Sequence, residues 1–390
     1  MKRLRVHLAA LFCAGFVLAA LTALLPSLSG HLVLPYDRTL AHLNQLGQNR
    51  PFTAGYQYLA DRLRTGDAVV MFASSELINN PTPYVAHALL PNRLGIPLMS
   101  LGRGYFQSFS HYLLLSALRS RLNPKSRLVI LFSPGWIETD RVPASFLDYY
   151  LRDDLVYDIR RQNGDLTALA DYLRSRAPEL THLSPALREV MWAYPSGPVS
   201  RSRRLLGVAA GLLLQAQAWC YPWAAAFTRL SLWTQDDAQP AAPASTVDWA
   251  ALERQAAADE ARRMTNNTLW VHNDYLSQFL SAYPHGGARL FKNSLHTETE
   301  LLFLRRELEL LRGRGARVLL VILPLNGRVY GDLDRFQPVR PRIHALAAAL
   351  HVPVYDMWDQ TPEIGLMGDG MHIGSLGWVR IDHEITRWLQ

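Results

Sequence analysis

The sequence predicts an α/β protein whose core is a doubly wound parallel sheet, with a large, mostly helical insertion and an N-terminal transmembrane helix. Three observations support this fold class: an apolar segment at the start of the chain, five short apolar runs rich in β-branched residues, and helix-like segments between those runs. Near-continuous apolar runs of this length are typical of parallel strands that are buried on both faces of a sheet. The chain has 390 residues, of which 49% are hydrophobic, so it can bury a sizeable core.

The N-terminal segment begins with three basic residues and then runs from Leu8 to Leu25 without an ionisable group other than a thiol. Its length is near the lower limit for a helix that spans a bilayer. Basic flanks stay in the cytoplasm, so we expect residues 1–30 to be a cytoplasmic stub and single-pass anchor in the cytoplasmic membrane, and residues 31–390 to be extracytoplasmic. A cleaved signal peptide is the alternative, because SLS before Gly30 resembles a cleavage site, and it gives the working domain the same location.

The five apolar runs are the predicted strands, and they begin at Ala68, Ile96, Arg127, Ala316 and Val352. The helix-like segment SFSHYLLLSALRSRL follows the second run, ETELLFLRRELELLRGR precedes the fourth, and RPRIHALAAAL precedes the fifth. Strands that alternate with helices along the chain predict a parallel sheet with helices on both faces.

Between the third and fourth runs lies an insertion, about residues 140–315, that is too long to be a loop. We expect it to be mostly helical, with a flexible linker at about residues 234–246. Its most apolar part, Leu205 to Trp233, is long enough to suggest a second membrane span. Two glutamines and a proline inside it, and arginines near its ends, favour instead a helix that lies on the membrane surface.

The net charge of +7 comes largely from arginines that are scattered through the chain, without a block of like charges. This pattern favours an anionic membrane surface or a polyanionic polymer as partner over a nucleic acid. The two cysteines, Cys13 and Cys220, lie in apolar runs, where we expect packed thiols and neither a disulfide nor a metal cluster.

Polar residues and glycines follow the ends of three predicted strands. Ser75 comes after the first run, Gly102 and Gly104 after the second, and Asp369 and His372 after the last. Because the carboxyl ends of parallel strands meet at one edge of the sheet, we expect these residues to converge. A histidine activates a serine hydroxyl by taking its proton, and a carboxylate holds the imidazole in the useful tautomer. The Ser75 amide and a glycine amide are the expected donors to the oxyanion.

Five motifs in the same order resemble the DltD family: FASSEL, LGRGYFQS, SPGW, LPLNG and DGMHIGSLGW. That family is a branch of the SGNH (GDSL-like) hydrolase fold and takes part in adding D-alanine to cell-envelope polymers such as teichoic acids. The resemblance covers most of the chain and is weakest across residues 140–290. It implies that the nucleophile is Ser75, the base His372 and the acid Asp369, and that the glycine of the second motif is Gly102 or Gly104.

One feature of the wider superfamily is missing, because SPGW lacks the asparagine that normally donates to the oxyanion. Such a donor contributes about 3 kcal/mol. Either Asn326 or a backbone amide replaces it, or the acceptor site differs from that of an ordinary esterase. Trp136 and Asn326 are further candidates for shaping the substrate pocket. Glu76 is expected to be a first-turn carboxylate that the helix dipole favours, and not the catalytic acid.

The resemblance implies a membrane-anchored acyltransferase that carries a D-alanyl group on Ser75 and passes it to a hydroxyl of an envelope polymer. It also implies a membrane-bound O-acyltransferase partner, an acyl donor that originates from a carrier protein, and no metal or organic cofactor. The acceptor stays open between teichoic acid, lipopolysaccharide and another glycan. An SGNH esterase or O-acetyltransferase and a non-catalytic binding module are the alternatives. A triad also requires Ser75 and His372 on one side of the membrane, which excludes a span between them.

Overall fold

Six strands form a single parallel sheet in the computed structural model. They are β1 (His42–Leu43), β2 (Val69–Phe72), β3 (Leu98–Leu101), β4 (Arg127–Phe132), β5 (Arg317–Ile322) and β6 (Val354–Asp356). Their spatial order is β1-β3-β2-β4-β5-β6, and every neighbouring pair is parallel. The five predicted strands are therefore confirmed, and the short edge strand β1 is an addition that the sequence did not indicate.

The structure describes residues 2–37, 41–43, 54–79, 81–138, 142–147, 150–176, 194, 200–217, 220–234, 247–265, 268–282, 289–291, 293–360 and 363–390. The first helices of the described chain are α1 (Lys2–His31), α2 (Ala54–Thr65), α3 (Ala86–Arg93), α4 (Ser108–Ala117), α5 (Ala144–Leu147), α6 (Asp153–Arg161) and α7 (Leu166–Arg176). They are followed by α8 (Arg201–Gln217), α9 (Tyr221–Trp233), α10 (Trp249–Ala261), α11 (Asn273–Phe279), α12 (Thr297–Gly313), α13 (Arg340–Ala349) and α14 (Ser375–Leu389).

The three helices that the sequence predicted next to strands are confirmed as α4, α12 and α13. The described residues between β4 and β5 contain eight helices, so this part of the insertion is mostly helical, as expected. The predicted linker lies outside the described residues, except for Thr234. The division of the chain into an anchor and an extracytoplasmic domain remains a prediction.

The sheet is buried on both faces. Successive residues of a strand point to opposite faces, so a buried strand contributes to two apolar clusters. In β2, Val70 and Phe72 belong to one apolar cluster with residues of α2, α4 and α12, whereas Val69 and Met71 belong to a second cluster with residues of α3, α10 and α14. Helices therefore cover both faces, which confirms the doubly wound arrangement. The chain goes from β2 to β3 on one side and then to β4 on the other, so the β2 and β4 ends form a switch point, where ligands bind in such sheets.

The N-terminal helix α1 contains an apolar stretch, Ala10–His31, of 22 residues with a mean hydropathy of 2.2. It is long and apolar enough to cross a membrane, which makes it a candidate anchor or signal sequence. The segment Leu205–Trp233 instead falls on two helices, α8 and α9, that are each shorter than a membrane span. Among the described residues, only α1 passes the test of length and composition for a span.

A buried arginine connects α9 to the end of α1. The Arg229 guanidinium donates from Nε to the Ser29 carbonyl oxygen at 2.9 Å and from Nη2 to Asp61 Oδ1 at 2.9 Å. The Asp61 carboxylate also accepts the backbone N–H of Leu34 at 2.6 Å. Burial opposes ionisation of Asp61, but the bond to Arg229 and its charge outweigh this and lower the pKa of the carboxyl.

The expectation of packed thiols was wrong for both cysteines, since Cys13 and Cys220 are exposed. Cys13 lies on α1, in a stretch of the helix whose side chains are exposed along its whole length. Cys220 lies in the turn directly before α9.

Candidate active site

The serine predicted as nucleophile lies on a tight turn directly after β2. Ala73 is fully buried at the strand end, and Ser75 begins a 3-10 turn, Ser75–Leu77. The Ala73 N–H donates to the Leu101 carbonyl at 3.0 Å, which ties the turn to the end of β3. The neighbouring Ser74 donates from Oγ to the Arg103 carbonyl at 3.0 Å. These bonds fix Ser75 at the switch point of the sheet, half-buried and open to a ligand.

The loop between β6 and α14 folds around the carboxylate of Asp369. Oδ1 of this residue accepts the backbone N–H groups of Met371 at 2.7 Å and of His372 at 2.8 Å. The Gly368 N–H closes the loop by donating to the His372 carbonyl at 2.8 Å. Local hydrogen bonds of an aspartate to nearby amides are typical of turns. They hold Asp369 and His372 in one compact unit.

The structure brings Ser75, His372 and Asp369 together in one hydrogen-bonded chain. Asp369 Oδ2 lies 2.7 Å from Nδ1 of His372, and Nε2 of the same ring lies 2.9 Å from Oγ of Ser75. Ser75 and His372 are 297 residues apart in the chain. Both distances are within the range that a nucleophile, its base and an orienting carboxylate require. The arrangement can therefore move a proton from the serine hydroxyl to the imidazole.

The charges of the site act on one another through a buried environment. Burial favours the neutral form of His372, but the hydrogen bond and charge of Asp369, together with the charge of Glu76, outweigh this and raise the pKa of the imidazole. Burial likewise opposes ionisation of Asp369, but its bonds to His372 and two backbone amides lower the pKa of the carboxyl. The site thus stabilises the imidazolium that forms when His372 takes a proton, beside an ionised aspartate.

Glu76 follows the serine and is 2% exposed, so it is more than the surface carboxylate of a first turn. Its Oε2 accepts the Ser74 N–H at 2.9 Å, which helps to hold the turn. Burial raises the pKa of this carboxyl, and the nearby His372 partly offsets that effect. Sequence reasoning placed Glu76 outside the site, yet its charge reaches the imidazole.

The two glycines predicted as oxyanion donors differ in what their amides do. The Gly102 N–H donates to the Leu43 carbonyl of β1 at 3.2 Å, so this amide is not available to an oxyanion. A Cβ at this position would lie 2.6 Å from the Ala73 carbonyl oxygen, which explains the glycine by close backbone approach. The amides of Ser75 and Gly104 have no acceptor among the residues that the structure describes. The Ser74 hydroxyl donates to the Arg103 carbonyl, which belongs to the same peptide group as the Gly104 N–H. This bond keeps that peptide group beside the serine turn.

Asn326 is buried and does not supply the missing side-chain donor. Its Nδ2 donates to the Leu269 carbonyl at 3.0 Å, and its Oδ1 accepts the Arg328 N–H at 2.9 Å. Its backbone N–H donates to the Gly370 carbonyl at 3.1 Å. The residue therefore joins the end of β5 to the insertion and to the Asp369 loop. The hydrogen-bond donors to an oxyanion would therefore have to be backbone amides or another side chain.

Trp136 lies in the core, which corrects the expectation that it shapes the substrate pocket. Its indole is 4% exposed and packs with its edge against His111 and Phe132. The preceding residue, Gly135, touches the site instead, because a Cβ there would lie 2.3 Å from Cε of Met371. The SPGW turn thus supports the loop that carries the histidine.

His111 lies behind the serine turn, in the core. Its Nε2 donates to the Ala73 carbonyl across 3.2 Å, while Nδ1 faces the buried Glu307 at 3.5 Å. Burial raises the pKa of the Glu307 carboxyl. The imidazole is thus the hydrogen-bond donor to the carbonyl that precedes the serine turn, which indicates a structural role for His111.

Two more site residues were missed by sequence reasoning. Asn79 Nδ2 lies 2.9 Å from Nε2 of His372, at the same ring nitrogen that contacts Ser75. In the insertion, Glu260 Oε1 accepts the N–H of Ser375 at 2.8 Å, at the start of α14. No spacing in the sequence links these partners, because each pair is more than 100 residues apart. In the described chain, no three His, Cys, Asp or Glu side chains could hold a metal ion.

The chain is similar to known proteins over most of its length. The family model described as "DltD protein" matches residues 49–390 of this chain. Protein DltD of Staphylococcus aureus (strain NCTC 8325 / PS 47) is 21% identical over 327 residues, which cover 82% of this chain and 80% of that protein. The family match spans the whole sheet except β1, and it includes all three residues of the hydrogen-bonded chain.

Proposed function

The chain belongs to the DltD family, and from this premise we propose that it transfers a D-alanyl group through Ser75 to a hydroxyl of a cell-envelope polymer. Membership of the family supports a role in the D-alanylation of such a polymer. The observation that carries the catalytic part is the chain of contacts from Asp369 through His372 to Ser75, at 2.7 and 2.9 Å. An SGNH-type site is supported by the position of the serine after β2 and of the histidine after the last strand.

In the first step, Ser75 Oγ attacks the carbonyl carbon of the D-alanyl donor while Nε2 of His372 takes the hydroxyl proton. The carbonyl oxygen becomes an oxyanion, to which the amides of Ser75 and Gly104 donate in the proposal. The bond to the leaving group then breaks, and the leaving group receives the proton from Nε2. The product is a D-alanyl ester on Ser75.

In the second step, the acceptor hydroxyl gives its proton to Nε2 of His372 and its oxygen attacks the ester carbon. The bond to Ser75 Oγ breaks, and this oxygen regains a proton from Nε2. Asp369 stays ionised throughout, because it stabilises the imidazolium by charge and does not accept its proton. The same three residues therefore serve both half-reactions.

The membrane part of the proposal is supported by α1, whose apolar stretch is long enough to span. With the basic N-terminus inside, the sheet lies on the extracytoplasmic side. The donor then has to be delivered across the membrane, which is the task of the membrane-bound O-acyltransferase partner that the family resemblance implies. The exposed apolar residues of α8 and α9, among them Leu205 and Trp233, support a position close to the membrane surface.

The test is to trap the acyl group on the full-length chain. The protein in detergent is incubated with a D-alanyl thioester, and the peptide with Ser75 is analysed by mass spectrometry. We expect an alanyl adduct on Ser75 that is absent in Ser75→Ala and present in Ser120→Ala, which changes an exposed serine in the turn between α4 and β4. An acetyl adduct with acetyl thioester, in place of the alanyl adduct, would instead support the esterase or O-acetyltransferase alternative.

A cellular measurement separates catalysis from binding. We expect cells with Ser75→Ala to lose D-alanyl esters from the envelope polymer while the variant accumulates to the wild-type level. Unchanged envelope D-alanylation in these cells, without an adduct on the wild-type protein, would leave only a non-catalytic binding role.

A further inference from the structure

We propose that Asn79 protects the acyl-enzyme from water by occupying the lone pair of His372 until the acceptor hydroxyl displaces it. The inference rests on the proposed function and adds a residue that selects transfer over hydrolysis. It starts from one contact, the 2.9 Å distance between Asn79 Nδ2 and His372 Nε2.

The contact fits one tautomer of the neutral ring. An amide nitrogen only donates, so Nε2 is the acceptor of this hydrogen bond. The other ring nitrogen, Nδ1, then carries the proton that it donates to Asp369 at 2.7 Å. This is the tautomer in which the imidazole is able to take a proton from Ser75.

Two donors share a single acceptor in the resting site. The Ser75 hydroxyl and the Asn79 amide both lie 2.9 Å from Nε2, which has one lone pair. Acylation removes the hydrogen of Ser75, because Oγ becomes the ester oxygen. The Asn79 amide is then the remaining donor to Nε2 among the side chains described at this site.

This occupancy matters most in the second step. Water hydrolyses the ester only if it passes a proton to Nε2 while its oxygen attacks the carbonyl carbon and Ser75 Oγ leaves with a proton. To do so it has to displace Asn79, and a water molecule has no other part that binds to the protein. A polymer acceptor also has to displace Asn79, but its contacts with the protein along the rest of its chain supply the free energy that this displacement costs.

The backbone keeps Asn79 in position without its side chain. Its N–H donates to the Ser75 carbonyl at 3.0 Å, a bond that any residue other than proline retains. The side chain is exposed, so it can swing away without a rearrangement of the core. A substitution at this position therefore tests the amide and not the fold.

The experiment separates acylation from deacylation with p-nitrophenyl acetate as the probe. The burst of nitrophenolate reports acylation of Ser75, and the steady phase reports hydrolysis of the acyl-enzyme. For Asn79→Ala we expect hydrolysis to speed up by about three- to tenfold, the factor of an ordinary hydrogen bond, while acylation is not slowed. Asn92→Ala, which removes an exposed asparagine on α3, serves as the matched control and leaves both phases unchanged.

Each outcome decides between the inference and its premise. A burst with an unchanged steady rate in Asn79→Ala overturns the role of Asn79 and leaves the proposed function intact. Equal slowing of both phases indicates a structural role and also overturns it. A wild-type protein without any burst, whose Ser75 also takes no acyl group from thioesters, overturns the proposed function and the inference together.

Discussion

The carboxylate of Glu260 lies 2.5 Å from Nε2 of His272, and both side chains are buried. The other oxygen of Glu260 accepts the backbone N–H of Ser375 at the start of α14. The backbone N–H of His272 donates to the Gly368 carbonyl at 2.9 Å. The insertion thus holds both ends of the loop that carries Asp369 and His372. Burial opposes ionisation of Glu260, but the hydrogen bonds of its carboxylate to His272 and Ser375 outweigh this effect and lower its pKa.

Removal of this carboxylate should weaken both the fold and the site. Glu260→Ala leaves His272 and the Ser375 amide without their buried partner, so we expect a loss of about 3 kcal/mol in the free energy of unfolding. The acylation rate should fall more than the fraction of folded protein explains, because the Asp369 loop is no longer held. Urea unfolding and the nitrophenolate burst measure the two effects.

Glu253→Ala is the matched control for that substitution. Glu253 lies on the same helix, α10, and pairs with Arg380 at 3.4 Å in a partly exposed position. Exposed pairs of this kind contribute about 0–1 kcal/mol. Equal effects of the two substitutions on acylation would contradict the role assigned to Glu260.

The pH dependence of acylation should report the imidazole of His372. The reaction needs the neutral ring, and the charges of Asp369 and Glu76 raise its pKa above 6.5. The rate should therefore rise with pH through a midpoint above 6.5. Glu76→Gln removes one of these charges, so its midpoint should shift to lower pH, with the adduct still on Ser75. A midpoint that moves upward would contradict this electrostatic assignment.

Asp369→Asn should combine a shift with a large loss of rate. The amide cannot stabilise the imidazolium, so the midpoint moves further down than in Glu76→Gln. The wrong tautomer should lower the rate by about four orders of magnitude, as when other triad carboxylates become amides. The burst measured between about pH 5 and 9 tests both expectations.

The glycines after β3 should respond differently to alanine. In Gly102→Ala the new methyl group meets the Ala73 backbone, so we expect a loss of about 1–3 kcal/mol in the free energy of unfolding and slower acylation. In Gly104→Ala it meets the edge of the Phe146 ring at 3.0 Å, which a side chain can relieve by turning. Thermal unfolding of the two variants measures the contrast, and a larger loss in Gly104→Ala would argue against it.

The buried carboxylate that joins α1, α2 and α9 should be important for stability. Asp61→Ala strips Arg229 and the Leu34 N–H of their partner, so we expect a loss of about 3–5 kcal/mol in the free energy of unfolding. Asp67→Ala, which removes a half-exposed partner of Arg62, should cost less than about 1 kcal/mol. Denaturant titration of the full chain in detergent compares them. Similar losses would mean that burial of the first pair adds nothing.

Asp382 predicts an unusual dependence of stability on pH. Its carboxyl is fully buried on α14, and burial raises its pKa well above 3.8. Between 3.8 and the folded pKa, the folded state binds a proton that the unfolded state has lost, so stability falls as pH rises. Asp382→Asn keeps the shape without the ionisation and should be more stable than wild type by more than about 1 kcal/mol at neutral pH.

The difference between Asp382→Asn and wild type should shrink as the pH falls, because below 3.8 the wild-type carboxyl is protonated in both states. Asp334→Asn changes an exposed carboxylate and should leave the melting temperature unchanged across the range. Melting temperatures measured between about pH 4 and 8 decide the matter. A constant difference between Asp382→Asn and wild type would show that ionisation is not its cause.

The strands and the three residues of the hydrogen-bonded chain were predictable because their signals are local. A strand buried on both faces has to be apolar, and β4 and β5 are apolar and buried at every position after their first residue, an arginine in each. Strand β1 has only two residues, too few for any pattern, and pairs with β3 alone. Ser75, Asp369 and His372 lie at strand ends, so the topology of a parallel sheet brings them to one edge.

The supporting contacts were not predictable, because they depend on how distant segments pack. Nothing around Glu260 indicates that its carboxylate reaches Ser375, which is 115 residues away. Gly102 and Gly104 look alike in the sequence, and only the position of β1 decides which amide is used. The choice of Trp136 as a pocket residue failed for a related reason, since an aromatic residue after a strand fits equally well in a core.

The 297 residues between Ser75 and His372 also set the order in which the protein is completed during synthesis. The ribosome makes Ser75 long before Asp369 and His372, so a chain that stops before residue 369 has the proposed nucleophile without its proposed base. In the proposed mechanism such a product cannot activate Ser75, because no histidine takes the hydroxyl proton. The order of the chain thus makes the proposed activity depend on synthesis of the loop that contains Asp369 and His372.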